Sequence, residues 1–199
     1  MKRIFTIALA IISCTLLYAQ TPKSVLDKTA EMLAAQDGIT ADFAISNSQS
    51  SQTTGTISVK GRMFYIQTPK ANVWFDGKTQ WTYVKENDEV NVTNPTESEL
   101  QTINPYNFIN IYRKGYKYTM NTKANSYIVR LKAIDKSNPI GEMLITVGKK
   151  SYVPTSIMMC KNSKWSTISI SNFKKTNHNN SIFKFNKSAY PSAEVIDLR

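Results

Sequence analysis

The sequence predicts a mainly β protein with a few helices (α+β), in which ten or eleven strands form one large curved antiparallel sheet or a barrel. Three observations predict it. Hydrophobic alternation of period two begins at Ile39 and recurs along most of the chain, turn residues interrupt it at short intervals, and one stretch near the N-terminus has the spacing of an amphipathic helix.

The first element is an export signal. Lys2 and Arg3 precede the apolar run Ile4 to Leu17, which ends in Tyr18-Ala19-Gln20, so residues 1–19 read as a signal peptide with Ala19 the last residue removed. A competing reading takes Ile11-Ile12-Ser13-Cys14 as a lipoprotein processing site with Cys14 the acylated anchor; cleavage after Ala19 is preferred. Removing nineteen residues from 199 leaves 180 (20–199), the size of a single domain with a full core. No later segment reaches the roughly 18 apolar residues of a membrane span, which predicts a soluble mature protein; a monomer is expected. Cys160 is then the one remaining cysteine, so an internal disulfide is not expected, and the thiol reads as a small buried hydrophobe beside Met158 and Met159. Losing Lys2 and Arg3 reduces 25 basic residues to 23 against 14 acidic ones, a net charge of +9. In an exported protein this favours transient attraction to an anionic membrane surface over nucleic acid, or a solvated basic surface that aids solubility.

From Ser24 to Gln36, Val25, Leu26, Thr29, Ala30 and Leu33 form one helical stripe, with a capping box expected at Ser24 and Asp27 and a stop at Gly38. Ile39 to Ile45 alternates as a strand, and a second strand begins at Ile57 and runs on through Phe64 and Ile66. Val73 to Phe75 and Trp81 to Val84 flank the hairpin signal Asp76-Gly77, and Asn87-Asp88 repeats it before Val90 to Thr93. Asn94-Pro95 breaks the sheet. A helical turn at Thr96 to Gln101 and a short helix from Asn104-Pro105 to Gly115 follow, with Phe108, Ile109 and Tyr112 on one face. Strands resume at Tyr116 to Met120, Ser126 to Ile134, Glu142 to Val147, Val153 to Met159, Lys164 to Phe173 and Ile182 to Phe185.

Catalytic chemistry is poorly supplied. The single histidine, His178, falls in the polar loop Asn177 to Asn180 and reads as solvated, and there is no nucleophile elbow, phosphate-binding glycine loop or Cys/His cluster. The carboxylates Asp42, Asp76, Glu86, Asp88 and Glu89 fall mostly at turns or outward positions, so an enzyme built on them ranks last. No catalytic residue, metal or cofactor is expected. Aromatic residues crowd the first strands at Phe43, Phe64, Tyr65, Trp74, Phe75, Trp81 and Tyr83, and serve equally for a filled core or for a ligand cavity.

The strand Asp42-Phe43, the run Gly55-x-Ile57-x-Val59-Lys60, the hairpin Phe75-Asp76-Gly77-Lys78-Thr79-Gln80-Trp81-Thr82-Tyr83, and the ending Phe183-Lys184-Phe185, Pro191 and Val195-Ile196-Asp197 resemble the LolA family of periplasmic outer-membrane lipoprotein carriers. The resemblance covers nearly the whole mature chain. It implies an incomplete antiparallel β-barrel with a helical lid, and a periplasmic carrier that takes lipoprotein acyl chains from an inner-membrane release complex to an outer-membrane acceptor. The pocket residues it implies are Phe43, Ile45, Ile57, Val59, Phe64, Trp74, Trp81 and Tyr83. The lid residues are Phe108, Ile109 and Tyr112. Arg62 fits the family's latch arginine, although the chain has Lys60-Gly61-Arg62 where the family has Lys-Arg-Pro. The competing function classes are a carrier of another lipid or hydrophobic compound on the same scaffold, and a protein-interaction module of the envelope.

Overall fold

A computed structural model describes residues 20–34, 37–47, 52–96, 99–100 and 112–199. The first element, α1, spans Pro22–Leu33 and buries Val25, Leu26, Thr29, Ala30 and Leu33, the stripe expected from the sequence. Its start lies earlier than predicted. Thr21 is the cap, its side chain accepting from the Ser24 amide at 3.1 Å, and Pro22 occupies the first turn, where a missing N–H costs nothing. The residue expected to complete a capping box, Asp27, is instead paired with Lys23 at 2.8 Å.

Twelve strands follow: β1 (Ile39–Asn47), β2 (Thr53–Lys60), β3 (Met63–Gln67), β4 (Ala71–Phe75), β5 (Gln80–Val84), β6 (Glu89–Thr93), β7 (Tyr116–Thr122), β8 (Ser126–Ala133), β9 (Ile140–Gly148), β10 (Pro154–Lys161), β11 (Lys164–Lys175) and β12 (Glu194–Asp197). They form one open sheet in the order β12-β6-β5-β4-β3-β2-β1-β11-β10-β9-β8-β7. All the pairings are antiparallel except that of β12, which lies parallel to β6. Two meanders, β1 to β6 and β7 to β11, are thus joined where β11 returns to lie beside β1.

The strand count departs from ten or eleven for local reasons. The expected continuous strand from Ile57 to Ile66 is two strands, because the chain reverses at Gly61-Arg62. Ile182 to Phe185 is not a strand; Asn180–Phe183 is a 3₁₀ turn capped by the Asn179 side chain. Val195 and its neighbours form the twelfth strand. At the Asp76-Gly77 signal the hairpin is as expected, with Asp76 Oδ1 accepting from the amides of Lys78 (3.0 Å) and Thr79 (2.9 Å).

Cross-strand partners lie on the same face of a sheet, so the register assigns every side chain. Phe43, Ile57, Val59, Phe64, Ile66, Val73 and Phe75 share one face with Val129, Leu131, Met143, Ile145, Ile157 and Ile168, and the apolar stripe of α1 packs there. On the opposite face of β3 to β6 lie Tyr65, Trp74, Trp81, Tyr83, Val90 and Val92. That second face is covered by the C-terminal segment, a strap running from Thr176 to Ala193. Phe185 meets Trp74 edge-on at 5.5 Å, and Tyr190 meets Trp74 at 5.6 Å and Tyr83 at 4.7 Å. The Tyr190 hydroxyl accepts from Asn72 Nδ2 at 3.1 Å.

Close packing fixes one glycine. Gly55 lies opposite Phe43, and a Cβ there would overlap Gln67 O and approach Phe43 Cζ to 2.7 Å, so the ring needs the bare backbone. Gly55→Ala is therefore expected to lower stability by about 1–3 kcal/mol in urea unfolding. Phe183, fully buried in the strap, should cost about 3–5 kcal/mol as Phe183→Ala in the same assay. A strap variant with wild-type stability would show that the second face needs no cover.

Candidate functional site

Strand alternation lays an apolar floor from β4 across the sheet to β7. At its centre are Phe43, Ile57, Phe64, Ile145 and Ile157, with Tyr118 and Met120 of β7 closing one side. The floor changes character on β5 and β6, where the same face carries Gln80, Thr82, Asn91 and Thr93. Gln80 is 8 % exposed, and its Nε2 donates to Thr82 Oγ1 at 3.2 Å while its Oε1 has no hydrogen-bond partner among the described residues. A buried amide oxygen without a donor is costly and marks a place where a donor would be gained. The interior is thus greasy over most of its width and polar at the β5 end.

Above the floor, α1 lies over β7 and β8. Among the described residues it is tied down at two points: Lys28 Nζ donates to the Tyr152 hydroxyl at 3.4 Å, and Tyr112 makes the closer tie. The Tyr112 hydroxyl donates to Asp27 Oδ1 at 2.7 Å, and the Tyr112 carbonyl accepts from the Tyr118 hydroxyl of β7. Tyr112 is itself buried, as is Leu100 at the other side of the undescribed segment 101–111. Leu100 follows a capping box, in which Thr96 and Glu99 exchange hydrogen bonds: the Thr96 amide donates to Glu99 Oε2 at 2.7 Å and the Glu99 amide to Thr96 Oγ1 at 3.3 Å. The hydrogen bond from Lys23, opposed by partial burial and reinforced by the Tyr112 hydroxyl, holds the Asp27 carboxyl below its ordinary range. Burial first, then the neighbouring Asp27, pushes the Tyr112 phenol upward.

Of the residues expected in a pocket, the geometry brings together Phe43, Ile45, Ile57, Val59 and Phe64 on the helix-bearing face. Trp74, Trp81 and Tyr83 do not join them. Asn72 and Trp74 pair with Tyr83 and Trp81, one residue out of phase with Phe75, so all three point to the opposite face beneath the strap. Their aromatic bulk fills a second core. Composition drew attention to them, but the alternation of β4 gives the sorting: Phe75 faces inward and Trp74 outward. Ile66, Met143, Ile145 and Ile157 are floor residues that the sequence reading did not single out, although each lies on an alternating strand it placed, and Phe75, noted among the aromatics but not assigned to a pocket, joins them. Among the lid residues, Phe108 and Ile109 lie outside the described residues, whereas Tyr112 is placed as the tie just described. Arg62 is exposed in the β2–β3 turn, at the same end of the sheet as Gly38.

His178 is a correction of another kind. It is half-buried rather than solvated, with Nε2 2.9 Å from Thr40 Oγ1 and 3.2 Å from the Ile39 carbonyl, while its own carbonyl accepts from Lys60 Nζ at 2.7 Å. It fits because Gly38 has no side chain: a Cβ there would stand 2.9 Å from His178 Cδ2, and the Gly38 φ of +105° suits glycine. Its role is to fasten the start of the strap to β1. Among the described residues no group of three or more His, Cys, Asp or Glu is arranged to hold a metal ion, and no helix is long and apolar enough to cross a membrane.

The family model for outer membrane lipoprotein carrier protein LolA matches residues 12–164. No curated protein matches the chain. Among solved structures, an uncharacterized conserved protein from Thermus thermophilus is similar, with a TM-score of 0.61 at 12 % identity, over 88 % of this chain and 98 % of that one. A LolA superfamily protein from Nitrosomonas europaea matches with a TM-score of 0.46 at 14 % identity, over 83 % of this chain and 98 % of its own.

The Asp27 tie predicts an acid response. Because the folded carboxyl is held below its ordinary value of 3.8, its contribution is complete above that pH and is lost as the pH falls through the lower folded value. Wild-type stability should fall more steeply than that of Asp27→Asn across that interval in urea unfolding at stepped pH. Tyr112→Phe should cost about 0.5–1.5 kcal/mol at neutral pH. Identical acid profiles for wild type and Asp27→Asn would remove the tie.

Proposed function

The chain belongs to the family of outer membrane lipoprotein carrier protein LolA, and on that premise we propose that it is a periplasmic carrier that binds lipoprotein acyl chains against its apolar floor and shuttles them toward the outer membrane. Members of this family are carrier or binding proteins rather than enzymes. The observation that carries the proposal is the greasy face that the open sheet presents from β4 across to β7, roofed by one amphipathic helix whose described polar ties are few.

Magnitudes explain why a roof is needed. Each methylene moved out of water contributes about 0.8 kcal/mol, so a C16 chain gains more than about 10 kcal/mol on an open floor, and several chains pass the limit of reversible affinity near 18–21 kcal/mol. A carrier with a bare floor does not unload. When Val25, Leu26, Ala30 and Leu33 already rest on that floor, a cargo chain exchanges one apolar contact for another and the net gain becomes modest. Tyr112 then sets part of the cost of lifting α1, and Arg62 is the proposed latch at the far end of the cover. Gln80 Oε1, at the polar end, suits an N–H donor of the cargo. The partners that go with this reading are an inner-membrane release complex and an outer-membrane acceptor.

Mass spectrometry of the organic extract from natively purified protein should find acyl lipid. In solution, Ile57→Glu is expected to weaken uptake of a fluorescent C16 fatty acid at least about tenfold, from burial of an unpaired carboxylate on the floor, whereas Trp81→Phe, on the strap side, should leave uptake unchanged. Circular dichroism checks that each variant is folded. Uptake by a folded Ile57→Glu protein at the wild-type level, with no lipid in the extract, would sink the proposal.

A further inference from the structure

The positive charge of this chain is not spread over the fold. Residues 112–175, which hold β7 to β11, contain thirteen lysines and arginines against two acidic residues, Asp135 and Glu142, a balance of +11. Residues 20–96, with α1 and β1 to β6, contain seven basic and eight acidic residues, a balance of −1. Such asymmetry between halves of one sheet marks a surface built for an anionic partner.

The outward face of β7 to β11 has the chemistry to match. The register places Lys117 opposite Lys132, with Arg130, Leu144, Ile128, Met158, Cys160 and Trp165 on the same side. Like charges directly opposite on neighbouring strands repel, and Lys117 and Lys132 are both exposed. Glu142, the one acidic residue on this face, is engaged by Arg130 at 2.7 Å. Trp165 is 36 % exposed, and Ile128, Leu144 and Met158 are half-buried. The strap covers the outward face of β3 to β6; the outward face of β7 to β11 keeps Thr119, Lys132, Trp165 and Ser169 open.

We propose that this face is a docking surface for an anionic phospholipid bilayer, the cations meeting lipid phosphates while Trp165 and the half-buried aliphatic side chains enter the interface. A lipid surface fits better than nucleic acid because the cations of β7 and β8 lie beside an apolar strip that runs through Leu144 and Met158 to Trp165, and interfacial Trp is favoured where one side is wet and the other apolar. This inference concerns the face away from the apolar floor and does not rest on the acyl-chain reading.

The test is co-sedimentation of the full protein with vesicles of phosphatidylcholine containing about 30 % phosphatidylglycerol, a charge density at which basic clusters bind. Binding should exceed that to pure phosphatidylcholine and weaken as salt rises. Lys117→Gln/Arg130→Gln/Lys132→Gln should weaken it at least about tenfold, whereas Lys70→Gln/Lys78→Gln/Lys184→Gln, the same charge removed elsewhere, should change it less than about threefold. Tryptophan emission should shift to the blue on binding and lose that shift in Trp165→Phe. Absence of binding to the anionic vesicles, equal losses in the two triple variants, or binding to nucleic acid without binding to vesicles would each overturn the proposal.

Discussion

A β-strand directs successive side chains to opposite faces, and nearly everything in this molecule follows from having to bury both faces of one wide sheet. Closure into a barrel would remove the sheet edges and dispose of one face as an interior. This sheet stays open, with β12 and β7 at its two edges. It therefore uses two separate covers, α1 on one side and the C-terminal strap on the other, and they are fastened in different ways.

The strap is held by aromatic packing, by the His178 contacts at its start and by a parallel strand at its end. Its hold is distributed over several points far apart in sequence. The helix rests on apolar contact, with Tyr112 bridging Asp27 and β7, and Lys28 reaching Tyr152, as polar ties among the described residues. Apolar contact is non-directional and can be exchanged for other apolar contact at little net cost, whereas a polar anchor cannot be exchanged in that way. The difference suits the two covers to different tasks under the proposed function: one face is sealed, and the other is closed by contacts of the kind a hydrocarbon chain makes.

How much of this was legible depends on which physical signal each feature leaves in sequence. The helical stripe of α1 and the strands β4 to β11 were readable because periodicity of 3.6 or 2 survives in single sequences. So was the family, through Asp76-Gly77 and its neighbours. The face of each aromatic was available in the same alternation, since Trp74 and Phe75 are adjacent and must diverge. Grouping them by residue type hid it. Less accessible was the strap: Asn180–Phe183 has a strand-like composition but is bent by the Asn179 cap, and nothing local reveals that Phe185 and Tyr190 cross the sheet to reach Trp74. The partners of His178 are equally remote, because Thr40 stands 138 positions away. Long-range contacts of this kind leave no local signature.

The parallel pairing of β12 with β6 carries a consequence for how the molecule is made. The N-terminal meander, although complete by Thr93, keeps Trp74, Trp81 and Tyr83 bare until residues 176–197 arrive, and β1 waits for β11 in the same way. Pairings of such high sequence separation form slowly and leave sticky intermediates. Maturation is thereby tied to delivery of the strap: a product cut short before Thr176 lacks both Phe185 and Tyr190, and it presents its bare tryptophans to whatever chaperone or protease meets it first.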